Sequence, residues 1–277
     1  MRPGAGHEVA VALQRLGASA RLERWRRYPW QLLTEPPETP TMHMALDEVL
    51  LEAVARGARA PSLRIWEWAS AAVVLGRYQS VRNEVDEDAA AKHGVSVVRR
   101  ITGGGAMFVV PGGVITYSLY APLELVAGLS FRESYAFLDA WVVQNLRDMG
   151  VEASWQPIND ITSPGGKIGG AAQTRRGGAV LHHVTMAYQL DGPVMTAVLR
   201  VGREKLRDKG IASADKRVAP LKAQTALPRE RIERQLVSAF RDLHGLRQGA
   251  VTDSERKLAK DLADAKHASH DWVHLLP

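Results

Sequence analysis

The chain has no cysteine in its 277 residues. That excludes disulfides, thiolate metal sites and a cysteine nucleophile together. No apolar run approaches the roughly 20 residues of a membrane-spanning helix, so no membrane partner is expected. Acids are scarce in residues 1–29, where Arg2, Arg15, Arg21, Arg24, Arg26 and Arg27 face only Glu8 and Glu23. The segment VAVALQRLGASA within that stretch is too broken by polar residues for a secretory core. A Walker loop is also missing: Lys167 follows Gly166, but Ile168 stands where serine or threonine would be needed. The dinucleotide fingerprint G-x-G-x-x-G fails at Phe108, and no RNA-recognition or zinc-finger motif appears. The composition fits a cytoplasmic protein.

Forty-five per cent of residues are hydrophobic and 24% charged, an ordinary globular balance. The length suits one large domain, or a domain with an appendage. A net charge of +6 favours an acidic partner or a phosphate-bearing ligand. The bases, however, are interleaved with acids, as in Arg203-Glu204-Lys205 and Arg207-Asp208-Lys209. A solvated basic surface accounts for them, and nucleic acid is not an expected partner.

Residues 1–29 read as a basic, poorly ordered extension, and residues 30–277 as the folded domain. WQLL predicts a short strand, and Pro36, Pro37 and Pro40 a stiff loop. TMHMALDEVLLEAVARG has helical spacing, with Thr41 as N-cap and Gly57 as the stop. PSLRIWEW, AAVVLGRYQ and VSVVRRI predict strands, and DEDAAAKHG a helix ending at Gly94. VITYSLYAPL predicts a further strand, then a long amphipathic helix runs from Ser130 to Gly150. Residues 153–190 have the grammar of a β-meander, and the tail from Arg203 is mostly helical. Strands and helices mix without regular β-α-β alternation. The expected class is α+β, a mixed or antiparallel sheet with packed helices.

Five groups of residues could carry chemistry. Gly103-Gly104-Gly105 follows Arg99-Arg100 and Thr102. A tight turn rarely needs three glycines, whereas bare N–H groups beside cations make a nest for phosphate or carboxylate. Lys167 stands between glycine pairs in GGKIGGAAQ. It is either a surface turn lysine or a cation aimed at developing negative charge, and spacing alone does not choose. His182 and His183, adjacent on a strand, point to opposite faces and read as structural histidines. His267, His270 and His274 could bind a metal on a helix, but a solvent-facing helix end explains them as well. Trp66 and Trp68 share a strand face, as core or as the wall of an apolar tunnel.

Taken in order, these stretches resemble the lipoate–protein ligase/octanoyltransferase family, which is related to biotin protein ligases. The resemblance rests on MALDEVLL, LRIWEW…AVVLGRYQ, VVRRITGGGAMF, NDI with GGKIGGAAQ, LHHVT and REKLRDKGIASADKRVAPL, and it runs from about residue 30 to the end. It implies a biotin/lipoate ligase-like catalytic domain acting through a lipoyl-adenylate. In that reading the glycines pass against the adenylate, and Arg100 holds its phosphate or carbonyl side. Lys167 is the catalytic residue, pointing at the mixed-anhydride carbonyl. Asn159 and Asp160 sit near the nucleotide, Asp160 through Mg²⁺. Arg77, Thr102, Gly103, Gly104, Gly105, Ala106, Gly169, Ala171, His183 and Thr185 complete the lipoyl-adenylate contacts. The transferring branches of the family use a cysteine to form a thioester. The ligase branch needs none, so the resemblance implies an ATP- and Mg²⁺-dependent ligase acting on lipoate or octanoate. The acceptor would be a lysine of an acidic lipoyl-domain protein. The alternatives are a cysteine-free acyltransferase drawing on acyl-carrier protein, and a non-catalytic acyl or nucleotide binder. The sequence departs from the family pattern at Val109, where a histidine is common. No accessory domain follows the catalytic one, so such a domain is expected as a separate subunit.

Overall fold

The computed structural model describes residues 17–200 and 218–276. The expectations for residues 1–16 and for the segment 203–217 lie outside those residues. The first described helix, α1 (Ala18–Arg26), lies within the stretch read as an extension, and over its own residues it corrects that reading. Its Trp25 is buried in the main core, stacked on Phe137 at 5.4 Å and on His244 at 4.3 Å. Arginine-rich composition hid a helix that docks through one large apolar side chain.

Strand β1 (Gln31–Thr34) leads to α2 (Pro40–Ala55). The cap of α2 is Thr39 rather than Thr41: its hydroxyl accepts the Met42 N–H at 3.3 Å, and Pro40 takes the first helical position, where its missing N–H costs nothing. Gly57 ends the helix at φ 67°. Then come β2 (Ser62–Trp66), β3 (Ala72–Leu75), α3 (Val81–Glu84), α4 (Glu87–Lys92), β4 (Ser96–Arg99), β5 (Met107–Val109) and β6 (Val114–Pro122). Helix α5 (Phe131–Asp148) starts at a capping box of Ser130 and Glu133. The expected meander is β7 (Ser154–Gln156), β8 (Asp160–Ser163), β9 (Gly166–Arg176) and β10 (Ala179–Ala187). The chain finishes with α6 (Gly192–Val198), α7 (Arg229–His244), β11 (Arg247–Gln248), α8 (Asp253–Leu262) and α9 (His270–Val273).

The strands form an eight-stranded sheet in the order β11-β1-β2-β6-β10-β9-β8-β7 and a three-stranded sheet in the order β4-β3-β5. Pairing is parallel among β11, β1 and β2 and antiparallel from β2 to β7, so the large sheet is mixed, as is the small one. The α+β class is as expected.

Cross-strand register assigns the faces, because directly paired residues share one. One face carries Leu63, Tyr117, Leu119, Val184, Ala171 and Ile161 into a core with Phe137, Trp141 and Leu146 of α5 and Leu236 and Phe240 of α7. The other face carries the row Trp66, Thr116, Thr185, Gly170 and Asp160 across five strands. Helix α2 lies on that side, and its Met44 packs with Trp66, Trp68, Val74 and Val109, joining the small sheet to the large one. Among the described residues no helix is long and apolar enough to cross a membrane.

Candidate active site

The glycine loop hangs from the end of β4 and is shaped from beneath by two arginines. Arg100 is buried, and its Nη2 donates to the carbonyls of Gly103 at 2.7 Å and Gly105 at 2.9 Å. Its Nη1 donates to Val74 O at 3.1 Å and its Nε to Gly103 O at 3.2 Å. Burial pushes the guanidinium down to about 10, which still leaves it cationic at neutral pH. In this conformation three of its hydrogen bonds go to the loop's own carbonyls and one to Val74 of β3. Arg99 is equally buried and bonds the carbonyls of Gly76, Arg77 and Gln79. Gly76 makes room for the loop, since a Cβ there would lie 2.0 Å from Gly104 O. Gly104 itself adopts φ +94°, which suits glycine alone. A Cβ on Gly105 would meet nothing within 4 Å, and one on Gly103 only the Tyr78 ring at 3.9 Å. The protein's own packing does not demand glycine at these two positions.

Thr102 docks the loop onto the large sheet. Its hydroxyl pairs with His183 Nε2 at 2.8 Å, and His183 Nδ1 pairs with Asp47 Oδ2 at 2.7 Å. Asp47, on α2, also accepts from Tyr120 and from Ser118 at 3.0 Å. Burial by itself would raise the Asp47 carboxyl, but the bonds from His183 and Tyr120 and the nearby Arg64 charge outweigh it and hold the group low. Burial lowers His183, only partly offset by Asp47. Thr102 is fully buried, so this Asp-His-Thr line is a support for the loop and offers no exposed nucleophile.

Lys167 owes its direction to a β-bulge. Asp160 pairs with Gly170 and Ile161 with Gly169, but Thr162 then pairs with Lys167, skipping Ile168. The extra residue keeps Ile168 in the core and turns Lys167 to the face of Asp160, Gly170 and Thr185. Lys167 Nζ lies 2.7 Å from Asp160 Oδ1, with its side chain one-third exposed. Gly170 leaves space for it: a Cβ there would stand 3.0 Å from Nζ. The lysine is thus a fixed, accessible cation on the face where the glycine loop is docked.

The other expected residues divide. Thr185 joins the row beside Gly170. Arg77 donates its backbone N–H to Thr102 O at 2.8 Å and stands beside the loop. Ala106 packs at the rim of a small-sheet cluster containing Val73, Leu75 and Phe108. Gly169 and Ala171 lie on the α5-core side of β9, opposite Lys167. Asn159 bonds Ala171 O at 2.6 Å through its side-chain amide and joins β8 to β9. The Mg²⁺ role of Asp160 gains no support, because its carboxylate holds Lys167 and no three metal-ligating side chains meet among the described residues. His182 pairs with Asp139 on the far face, and His267 is buried on Glu48, structural roles both. Val109 is buried against Trp66 and Trp68, so its departure from the family pattern falls in core packing. Sequence reading missed Asp47, Gly76 and Gly170 as site supports. All three lie inside stretches already singled out, but only tertiary pairing gives them roles.

Comparison with known proteins agrees with this geometry. The family described as "Lipoyl protein ligase A/B catalytic domain" matches residues 39–241. The chain is 31% identical to octanoyltransferase LipM of Moorella thermoacetica, covering 88% of this chain and 97% of that protein. It is 30% identical to lipoate-protein ligase A subunit 1 of Thermoplasma acidophilum, covering 87% and 94%. Among solved structures it resembles the bipartite lipoate protein ligase of T. acidophilum, with TM-score 0.75 and 29% identity over 90% of this chain and 97% of that one. A lipoate-protein ligase A bound with ATP superposes equally well, with TM-score 0.75 and 27% identity over 90% and 99%. With its glycine loop, its bulged lysine strand and its sheet order in one frame, the chain belongs to the lipoyl protein ligase A/B catalytic-domain family.

Proposed function

We propose that the protein is an ATP-dependent lipoate–protein ligase, or the catalytic subunit of one. The observation that carries this reading is a cysteine-free chain in which a β-bulge turns Lys167 to the sheet face on which an exposed glycine loop is docked. A thioester on cysteine is chemically unavailable, so the acyl group must be activated by other means. In the proposed reaction a lipoate carboxylate oxygen attacks the α-phosphorus of ATP and pyrophosphate leaves. The acceptor lysine's amine then attacks the carbonyl of the lipoyl-adenylate, and AMP leaves with the bonding pair. Mg²⁺ enters as part of the MgATP substrate. Lys167 stabilises the oxyanion that develops at the carbonyl, and Asp160 holds Lys167 in direction. The Gly103–Gly105 amides line the adenylate, with Arg100 and the Asp47–His183–Thr102 line keeping the loop in shape. The T. acidophilum relatives are a ligase subunit and a bipartite ligase described with its E2 lipoyl domain, which supports a lipoyl-domain acceptor and a separate accessory chain here.

The likeness to LipM octanoyltransferase favours a second reading, transfer of octanoate from an acyl carrier without ATP. Mass spectrometry of an apo lipoyl domain separates the two. A lipoyl mass gain that requires ATP establishes the ligase. An octanoyl gain from octanoyl-carrier protein without ATP overturns it. Silence with ATP but transfer from preformed lipoyl-adenylate assigns activation to an accessory subunit. Silence with every donor and tight ligand binding favours a non-catalytic binder.

A further inference from the structure

The C-terminal turn of the chain reaches back to the foundation of the glycine loop. Arg99 Nε donates to Trp272 O and Val273 O, both at 3.0 Å, and its Nη2 donates to Val273 O at 2.6 Å. The Nη1 of the same guanidinium holds the carbonyls of Gly76 at 2.9 Å and Gln79 at 2.7 Å. Trp272 Nε1 donates back to Arg99 O at 3.0 Å. One arginine therefore joins α9 to the turn on which the loop rests.

The Trp272 ring also carries Arg77, whose Cζ lies 4.5 Å from the ring centroid. Lys266 Nζ lies 4.1 Å from the same centroid, but Glu48 neutralises it at 2.6 Å. Arg77 has no such partner: among the described residues no carboxylate and no hydrogen-bond acceptor meets its guanidinium. A guanidinium laid on an aromatic ring keeps its N–H edge open for planar, bidentate recognition of an anion. Arg100 lacks that freedom, because its donors already serve Val74, Gly103 and Gly105.

We infer that Trp272 is a positioning residue that presents the Arg77 guanidinium to the phosphate of a ligand lying along the glycine loop. This rests on the reading of the loop as an acyl-ligand site. The ligand chemistry is a phosphate ester joined to an acyl group, and it has two sources: the AMP phosphate of an acyl-adenylate, or the phosphopantetheine phosphate of an acyl carrier. Either leaves the acyl end to Lys167.

The test uses the full chain and equilibrium binding of three probes: AMP, 4′-phosphopantetheine and lipoate. Trp272→Leu keeps the backbone bonds to Arg99 and removes the ring. A lost cation–π contact predicts a loss of about fivefold in affinity for the phosphate probe, with lipoate affinity unchanged. Trp272→Phe restores binding, because it keeps a ring without the indole N–H. In an Arg77→Ala background Trp272→Leu costs nothing further, since its effect passes through Arg77. The probe that wild type binds and Trp272→Leu loses names the phosphate source. Wild-type-like phosphate affinity in Trp272→Leu overturns the inference, as do losses additive with Arg77→Ala or an equal loss for lipoate. Wild-type protein that binds neither phosphate probe overturns the reading of the site and this inference with it.

Discussion

The direction of Lys167 can be disturbed without touching the lysine. Gly170 lies in β9 with no left-handed φ, so alanine is compatible with the backbone there. The added Cβ would stand 3.0 Å from Lys167 Nζ and 3.2 Å from Cε. Ordinary contact begins near ~3.5 Å, and the far end of a lysine yields more easily than a strand. Lys167 should therefore retreat by about half an ångström to one ångström, keeping its charge but leaving its bond to Asp160. Misplacement on that scale costs up to about a hundredfold in rate. The expected loss for Gly170→Ala in kcat/KM for transfer from preformed lipoyl-adenylate is about tenfold to a hundredfold, or roughly 1.4–2.7 kcal/mol. Lys167→Ala should cost more, on the order of 3 kcal/mol, as does removal of one oxyanion donor. The melting temperature of Gly170→Ala should fall by only a few degrees, because no core side chain is removed and the contact weakened is the one between Lys167 and Asp160. Single-turnover transfer measured by mass spectrometry reads both variants. An inactive Lys167→Ala beside a wild-type-like Gly170→Ala would refute the claim that strand geometry aims the lysine. Two wild-type-like variants would remove Lys167 from the mechanism.

Three further outcomes test the architecture. Thr102→Val deprives buried His183 of its Nε2 partner and should destabilise the fold by about 1–3 kcal/mol in a urea titration, with weaker lipoate binding as the loop loosens. His244 is stacked on Trp25 and meets Phe240 edge-on, with neither ring nitrogen partnered, and burial, helped by Arg26, lowers it to about 3. The unfolded chain thus takes up a proton below about pH 6.5 that the native state refuses, so stability falls from there towards pH 3. Wild type should lose about 2 kcal/mol more than His244→Phe between pH 7 and pH 5, read by denaturation at both values, and an equal pH response would refute the assignment. Trp25→Ala should cost about 3–5 kcal/mol in the same assay, whereas a neutral result would return residues 18–29 to the status of an extension.

Where the sequence reading was right, local physics was enough. The helix from Ser130 to Gly150 announced itself by a serine cap and a glycine stop, and both appear in the fold, the cap as a full capping box with Glu133. The meander was legible from its glycine clusters: Gly165-Gly166 and Gly177-Gly178 stand at hairpin turns, although Gly169-Gly170 lies inside β9. Where it failed, the deciding contact was distant in sequence. Trp25 looked like part of an arginine-rich leader until Phe137 and Phe240 closed around it. The cap of α2 is the local exception: Pro40 can enter a helix at its first position, so the cap is Thr39 and not Thr41.

The sequence by itself determined the family, the glycine loop, the candidate lysine and the absence of a cysteine nucleophile. These follow from residue types and their order, which no packing can alter. Only the tertiary structure decided which side chains face the site. A one-residue bulge opposite Thr162 turns Lys167 away from the core that holds Ile168, and strand periodicity alone cannot reveal a skipped partner. Arg77 and Arg100 are both arginines beside glycines in the sequence. Arg100 lies buried among carbonyls, whereas Arg77 rests on a tryptophan 195 positions later in the chain, at residue 272. A guanidinium's role depends on whether its donors are already bonded, and that is settled by chain segments meeting in space.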